Sequence, residues 1–242
     1  MNVALILSGG TGTRLGSKVP KQYLEAEGRM IISYVLEAVL FHPRIDAVQI
    51  VAEEGWRDTV TKQIDALAKQ YGKTACPFHF SAPGKNRQLS IYSGLRSIME
   101  YADQDSYVMV HDAARPMLTA EMITAYLEAV KGHDGLLPVL PMKDTVYVST
   151  DGSAVTALLD RNQVFAGQAP EIFVLGKYLE ANERLLPDEI LRINGSTEPA
   201  VLAGMDIKMI PGEERNFKIT TQMDLERFRQ IVRMKNESVC TT

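Results

Sequence analysis

The sequence contains little cysteine, no excess of basic residues and no long hydrophobic run. Its two cysteines, Cys76 and Cys240, lie far apart in the chain, which excludes a disulfide framework and makes a reducing cytoplasm the expected compartment. The formal net charge of -4 argues against broad nucleic-acid affinity, so any anion site must be a local cluster of cations. No stretch is long enough to span a bilayer, and the N-terminal apolar run is too short for a signal peptide. We therefore expect neither a membrane nor a nucleic acid among its partners.

What the sequence does contain is a regular alternation of short apolar runs and amphipathic segments. Its 242 residues are enough for one large domain, residues 1–242. Strands are predicted at residues 3–7, 47–52, 78–80 and 107–110, and helices at 31–41, 56–71, 87–101 and 119–131. This alternation predicts an α/β fold with a mostly parallel sheet and helices on both faces. In such sheets, ligands bind beyond the carboxyl ends of the strands.

The second half of the chain begins with a different pattern. A strand is predicted at 136–141, followed by a hairpin with strands at 145–148 and 154–159 around an Asp151-Gly152 turn. A hairpin this thin cannot bury both of its faces, so it must pack on something else. That is either a second subunit or the body of the same subunit, and the pattern alone favours neither. Helices near 175–186, 197–203 and 221–234 and a strand at 207–210 follow.

A glycine-rich stretch follows the first predicted strand. Residues 8–12 read Ser-Gly-Gly-Thr-Gly, and Arg14, Lys18 and Lys21 add three cations. Glycines let backbone N–H groups approach a ligand, and peptide donors with fixed cations suit a polyphosphate. The stretch is not a P-loop, which needs Gly-Lys-Ser/Thr, and its spacing is not that of the dinucleotide fingerprint. The alternative is an ordinary mobile loop with solvated cations, but the exit through Pro20-Lys21-Gln22 favours an anion site.

An acidic residue stands at the end of the strand predicted at 107–110. Asp112 is well placed there to hold Mg²⁺, which proteins commonly bind through one or two carboxylates plus substrate phosphates. Arg115 is predicted either to grip a phosphate or to lock Asp112 in place. The alternative is that Asp112 caps the following turn and simply pairs with Arg115. We interpret the neighbouring His111 as structural rather than catalytic.

Two further segments carry polar groups of interest, and the first of them, residues 82–87, is predicted at the same edge as the glycine stretch and Asp112. Gly84 allows a tight turn before a helix whose first turn carries Arg87 and Ser90, and helix N-termini attract anions. The alternative is that Asn86 is only an N-cap and Arg87 is solvated. Lys218 stands between two apolar residues of an extended segment, so it should face the opposite side from them and reach a phosphate. The alternative is a surface lysine on an edge.

Together these segments resemble the cytidylyltransferases that couple CTP to the phosphate of a small polyol. That family includes the 2-C-methyl-D-erythritol 4-phosphate enzyme of isoprenoid synthesis and the D-ribitol-5-phosphate enzyme of teichoic acid and capsule synthesis. The resemblance covers residues 7–228, with the motifs in the family's order. They are Gly-Gly-x-Gly-x-Arg with Pro20-Lys21-Gln22, the segments 84–95, 111–116 and 216–220, and the pairs Asp144-Thr145 and Asp160-Arg161. The resemblance implies a Rossmann-like nucleotidyltransferase fold and a cytidylyltransferase that releases pyrophosphate and forms a CDP-alditol.

The resemblance also implies roles for individual residues. The nucleotide would be held by Leu7, Ser8, Gly9, Gly10, Thr11, Gly12, Gly84, Arg87 and Ser90. Arg14, Lys21 and Lys218 would be catalytic, the first two neutralising the triphosphate and the third stabilising the pentavalent α-phosphate, with Asp112 assisting Mg²⁺. The polyol phosphate would be bound by Asp112, Arg115, Thr145, Arg161 and Thr197. Thr145 and Arg161 would come from the partner subunit of a homodimer, because the family exchanges its hairpin arm, here residues 142–167.

The departures from the family pattern lie where the second substrate should bind. Ala169-Pro170-Glu171 replaces Thr-Pro-Gln, Thr197-Glu198 replaces Thr-Asp, Tyr147 replaces a lysine common in the erythritol branch, and Pro83 replaces a glycine. Gly9-Gly10 in place of Ala-Gly, together with Gly167, favours the ribitol branch, whereas His-Asp-Ala-Ala-Arg and Lys-Gln-Tyr favour the erythritol branch. We therefore predict D-ribitol 5-phosphate as the acceptor, with 2-C-methyl-D-erythritol 4-phosphate as the alternative.

Two other classes of protein are weaker interpretations. An NAD-dependent dehydrogenase shares the glycines after a strand and would use Glu53 after the second strand, but it leaves Lys21 and Lys218 without a role. A non-catalytic nucleotide-binding regulator would keep the glycines and lose one of those lysines, and both are present.

Overall fold

The structure is a computed structural model that describes residues 1–10 and 19–240, with side chains to residue 237. The predictions for Thr11, Gly12, Arg14 and Lys18 lie outside the described residues. None of the helices in these two ranges combines the length and the apolarity needed to cross a membrane.

The elements alternate as the sequence predicts. The strands are β1 (Asn2–Leu7), β2 (Glu25–Ala26), β3 (Arg29–Met30), β4 (Ala47–Val51), β5 (Phe78–Ser81), β6 (Tyr107–Asp112), β7 (Gly135–Pro141), β8 (Val146–Val148), β9 (Ala157–Leu159), β10 (Phe165–Gly167), β11 (Glu171–Val174) and β12 (Ile207–Pro211). The helices are α1 (Ile31–Leu40), α2 (Glu54–Tyr71), α3 (Arg87–Ile98), α4 (Ala120–Ala129), α5 (Leu175–Glu183), α6 (Glu198–Leu202) and α7 (Gln222–Cys240).

The central sheet has the strand order β10-β7-β11-β6-β1-β4-β5, and β12 pairs with β7. Strands β6, β1, β4 and β5 run parallel, whereas β11 runs antiparallel between β6 and β7. Leu7 pairs with Val51 on one side and with Asp112 on the other, so three carboxyl ends meet at one edge. The predicted mostly parallel sheet is confirmed, and this edge is where a ligand should bind.

Alternate residues of β1 enter two separate cores. Ala4 and Ile6 pack with α1, α2 and α4 on one face, while Val3 and Leu5 pack with α3 and α5 on the other. This follows from the two-residue period of a strand, and it requires helices on both faces because neither face of β1 is polar. The side chain of Thr119 accepts a hydrogen bond from the backbone N–H of Met122 and caps α4, as predicted.

The prediction for the hairpin turn is wrong in its length. The second strand begins at residue 157 rather than 154, so the connection between β8 and β9 spans residues 149–156. The carboxylate of Asp151 accepts hydrogen bonds from the backbone N–H groups of Ser153 and Ala154. These bonds hold residues 151–154 in a turn rather than in an extended strand. Strands β10 and β11 are not predicted at all, because runs of three or four residues give no readable period.

The segment 142–167, which we call the arm, exposes apolar side chains. Strands β8 and β9 pair only with each other, as a separate two-stranded sheet. Tyr147 is 60% exposed, Val155 67% and Leu158 63%, and Phe165 at the arm's end is 44% exposed. Two strands with apolar residues on their surface are not a stable unit in water. The described part of the chain does not cover this surface.

Candidate active site

A cleft of about 460 Å³ opens at the carboxyl edge of the sheet. Many of the predicted site residues line it together: Leu7, Gly9, Gly10, Lys21, Gly84, Arg87, Ser90, Asp112 and Lys218. They come from the ends of β1 and β6, from the loop after β5 and from two segments far apart in the chain. The prediction that the glycine stretch, the turn at residues 82–87 and the segment after β6 share one edge is therefore confirmed.

The residues that enter the glycine stretch are held by two side chains whose role was not predicted. The amide of Gln22 donates hydrogen bonds to the backbone carbonyls of Ser8 (2.6 Å) and Gly10 (2.9 Å). The hydroxyl of Tyr23 lies 2.8 Å from that of Ser8, and its ring stacks on Trp56 at 4.1 Å. Gln22 and Tyr23 thus fix the backbone at the end of β1, which leaves its peptide groups in place for a ligand.

Gly9 is required by close packing against Pro83. A Cβ atom at position 9 would lie 2.4 Å from the Cβ of Pro83, far inside van der Waals contact. Among the described residues, nothing lies within 4 Å of a Cβ added at the neighbouring Gly10. A rigid proline ring cannot move aside, so glycine at 9 and proline at 83 depend on each other.

The loop after β5 is organised around Ser90. Its hydroxyl accepts from the backbone N–H of Gly84 (3.0 Å) and donates to the carbonyl of Asn86 (2.9 Å). The side chain of Asn86 accepts from the N–H of Leu89 at 2.8 Å and caps α3, but Arg87 pairs with Asp112, so the alternative that Arg87 is simply solvated is wrong. A Cβ at position 84 would lie 2.4 Å from the Cβ of Leu89, so this turn also needs glycine. Ser90 therefore shapes the cleft by holding Gly84.

Three cations surround the carboxylate of Asp112. Lys218 Nζ lies 2.9 Å from Oδ2, Arg87 Nη2 lies 3.2 Å from Oδ1, and Arg115 Nε lies 3.6 Å from Oδ2. Burial alone would raise the pKa of Asp112, but the charges of Arg87, Lys218 and Arg115 outweigh it and hold that pKa well below its usual range. Nearby, Lys21 Nζ donates to the carbonyl of Ile219 at 2.7 Å. One ionised carboxylate under three cations leaves an excess of positive charge for an anionic ligand.

Arg115 pairs with Asp112, and this position matches the locking interpretation. Its side chain is 14% exposed, is not part of the cleft lining, and donates from Nη1 to the carbonyl of Asn216 at 2.8 Å. His111 is fully buried, burial lowers its pKa to about 4, and the neutral ring donates from Nε2 to the carbonyl of Arg115 at 3.0 Å. His111 is thus structural, as expected, and the phosphate role of Arg115 stays a prediction.

The other predicted acceptor residues lie away from the cleft of their own chain. Thr197 immediately precedes α6, and Thr145 and Arg161 lie on the arm, where the guanidinium of Arg161 donates to the carbonyl of Lys143. None of the three is part of the cleft lining among the described residues. Conversely, Glu53 lines the cleft two residues after the end of β4, although a role for it is predicted only under the dehydrogenase alternative.

The model of the IspD family, described as 2-C-methyl-D-erythritol 4-phosphate cytidylyltransferase, matches residues 2–234 of this chain. The chain belongs to the IspD family. It is therefore a CTP-dependent cytidylyltransferase, and its acceptor is a polyol phosphate. This finding contradicts the dehydrogenase interpretation.

Relatives of this IspD-family chain carry two different names. It is 33% identical to a ribitol-5-phosphate cytidylyltransferase of Vibrio parahaemolyticus, over 96% of both chains. It is 34% identical to a 2-C-methyl-D-erythritol 4-phosphate cytidylyltransferase of Thermotoga neapolitana, over 96% of this chain and 97% of the relative. The identities are too close to choose between the two acceptors.

A solved structure shares the fold of this family member. The 4-diphosphocytidyl-2C-methyl-D-erythritol synthase of Anaerococcus prevotii superposes with a TM-score of 0.78 over 96% of each chain, at 22% identity. That similarity concerns the fold alone, and it confirms the predicted nucleotidyltransferase fold.

Asp112 fits a Mg²⁺ ion of the kind that substrate phosphates help to bind. Across the described ranges, no group of three or more His, Cys, Asp or Glu residues could hold a metal by itself. One carboxylate completed by phosphate oxygens is a common Mg²⁺ arrangement, and the lowered pKa keeps Asp112 ionised at neutral pH. Asp112 would be the protein ligand of that ion, and oxygens of the substrate phosphates would be its other ligands.

Proposed function

We propose that the chain transfers CMP from CTP to D-ribitol 5-phosphate, releasing pyrophosphate and forming CDP-ribitol. The observation that carries the proposal is the group of three cations around Asp112 at the edge of the sheet, beside the glycine segment. The ribitol acceptor is supported by Gly9 and Gly167, which favour that branch, and by Tyr147 in place of a lysine. The alternative acceptor is 2-C-methyl-D-erythritol 4-phosphate, which the motif at residues 111–115 favours.

The proposed reaction needs charge neutralisation more than proton transfer. An oxygen of the acceptor phosphate, already anionic, attacks the α-phosphorus of CTP, and the bond from that phosphorus to the bridging oxygen of pyrophosphate breaks. No strong general base is required, so the protein contributes alignment and positive charge. Lys218 would turn from Asp112 to the α-phosphate, and Lys21 would neutralise the triphosphate. A Mg²⁺ ion bound through Asp112 and the phosphates would add further positive charge there.

We also propose that the active species is a homodimer in which each arm packs on the partner. The exposed Tyr147, Val155 and Leu158 support this, because a second copy would bury them. In this arrangement Thr145 and Arg161 of one chain enter the cleft of the other, which explains why neither lines the cleft of its own chain. Residues 142–167 are then a dimerisation arm on one cytidylyltransferase domain, residues 1–242.

The test is a pyrophosphate-release assay with purified protein. CTP and ATP are compared, each with D-ribitol 5-phosphate or 2-C-methyl-D-erythritol 4-phosphate, with Mg²⁺ or with excess chelator, and the product is identified by mass spectrometry. We expect release with CTP, Mg²⁺ and ribitol 5-phosphate, and a CDP-ribitol product. Equal rates from ATP, or rates that survive chelation, would contradict the nucleotide and metal proposals. Turnover of the methylerythritol substrate alone would contradict only the proposed acceptor.

A further inference from the structure

Glu53 is a second carboxylate in the cleft, separate from Asp112. It follows β4, is exposed and lines the cleft. Across the residues that the structure describes, its carboxylate makes no hydrogen bond and no ion pair. A free negative charge that faced the phosphates of a nucleotide would weaken their binding. Glu53 therefore calls for a different part of the ligand, one that donates a hydrogen bond.

The other acceptor side chains of the cleft lining are already engaged within the chain. Gln22 and Asn86 donate from their amide groups to backbone carbonyls. Ser90 bonds the backbone of its own loop, and the hydroxyl of Thr220 donates to a neighbouring carboxylate at 2.9 Å. Asp112 is held by cations. Among the described lining side chains that can accept a hydrogen bond, Glu53 is thus the one without a protein partner.

The strand order separates Glu53 from the cationic end of the cleft. Asp112 ends β6 and Glu53 follows β4, with β1 between the two strands. Neighbouring strands lie about 4.8 Å apart, so these two strand ends are about 10 Å apart across the sheet. The cations suit the triphosphate, and the lining residues Glu53 and Gly84 extend the cleft from there toward β4 and β5. A nucleotide with its phosphates at Asp112 would bring its base toward Glu53.

Cytosine and uracil differ at a position that a carboxylate can distinguish. Cytosine carries an exocyclic amino group, which donates hydrogen bonds and is a known partner of Glu and Asp side chains. Uracil carries a carbonyl oxygen at that position, and two acceptors placed against each other repel.

We propose that Glu53 is a specificity-determining residue that accepts a hydrogen bond from the cytosine amino group and rejects UTP. The proposal rests on the proposed function for the placement of the triphosphate at Asp112. It is independent of which polyol phosphate is the acceptor, because it concerns only the nucleotide.

The test measures the binding of CTP, UTP and 2′-deoxy-CTP to wild type and to Glu53→Gln by calorimetry, with Mg²⁺ and without acceptor. The substitution keeps the size of the side chain, and its amide donates as well as accepts, so it no longer rejects uracil. We expect the Kd for CTP to rise about 10-fold, the lower end for a hydrogen bond to a charged group, because the cleft is open to water. The Kd for UTP should not rise, so the preference for CTP falls by the same factor or more.

Glu54→Gln is the matched control. Glu54 is the next residue, is exposed and begins α2, and it is not part of the cleft lining among the described residues. Its substitution should leave the Kd values for CTP and UTP unchanged. Circular dichroism confirms that both variants fold.

The three nucleotides separate the possible outcomes. An unchanged preference between CTP and UTP in Glu53→Gln would overturn the proposal. A change confined to the preference between CTP and 2′-deoxy-CTP would also overturn it, because Glu53 would then contact the ribose. If wild type binds CTP and UTP equally, cytidylyl transfer stands and only the role of Glu53 is lost. If wild type does not bind CTP at all, the proposed function itself fails.

Discussion

The cleft and the arm are built in opposite ways. In the cleft, Asp112 is buried under cations from three segments, and Gln22 holds the glycine stretch from within the same chain. On the arm, Leu158 and Val155 are more than half exposed, and Arg161 makes its described hydrogen bond to a neighbour on the arm itself. The comparison teaches that one chain brings the nucleotide side of the site together, while Thr145 and Arg161 of the arm are not part of its cleft lining among the described residues. A single substitution can therefore test the first, but the second needs two kinds of chain in one experiment.

The largest effect is expected from the cations of the cleft. Lys218→Ala and Lys21→Ala should each lower kcat about 100-fold or more, because removing one preorganised charge from a transition state costs roughly 2.7–4 kcal/mol. The measurement is steady-state pyrophosphate release, with circular dichroism to confirm the fold. Lys208→Ala on β12, an exposed lysine, is the matched control.

A kcat near that of wild type in either variant would remove that lysine from catalysis. Loss of the circular-dichroism signal would show instead that the lysine is structural. Loss of the fold is the greater risk for Lys21→Ala, because Lys21 donates a hydrogen bond to the carbonyl of Ile219.

An intermediate effect is expected from the packing of Gly9 against Pro83. Gly9→Ala should reduce the free energy of unfolding by about 1–3 kcal/mol, the usual range for overpacking, and weaken CTP binding. Adding Pro83→Gly removes both ring atoms nearest the new methyl and leaves Pro83 Cα at 3.6 Å, an ordinary contact. The double variant should therefore recover most of the loss, which chemical denaturation measures as a double-mutant cycle. Strictly additive effects would mean that the two positions do not contact each other in solution.

The smallest expected signal is the activity recovered in mixed dimers. It tests whether Arg161 of one arm acts in the cleft of the other chain. Arg161→Ala and Lys218→Ala chains, each poorly active alone, are mixed and allowed to exchange. About half of the dimers are then hybrids with one intact site, so about a quarter of wild-type activity should return if the sites act independently. Differently tagged chains show whether hybrids form. If hybrids form and no activity returns, Arg161 acts in the site of its own chain.

The sequence predicts what is local and periodic. The alternation of β1, α1, β4 and α2 is readable because each has a clear two-residue or 3.6-residue period, and Thr119 is readable as a cap. The shared edge of the glycine stretch and Asp112 is predictable because both follow parallel strands, whereas the pairing of Lys218 with Asp112 is not contained in the period.

Contacts between residues far apart in the chain could not be predicted from the sequence. Arg87 contacts Asp112 across 25 positions in the chain and Gln22 contacts Ser8 across 14, so their partners follow only from the folded sheet. Glu171 stands out in the sequence as a departure from the family pattern, but its burial depends on β11, a strand too short to predict.

The contact between Gly9 and Pro83 also limits the routes by which such a sequence can change. A chain with alanine at 9 and glycine at 83 that loses its methyl first reaches the present pair without a clash. The reverse order passes through alanine beside proline, where two atoms would be 2.4 Å apart before any relaxation. The order of the two substitutions therefore sets the stability of the intermediate sequence.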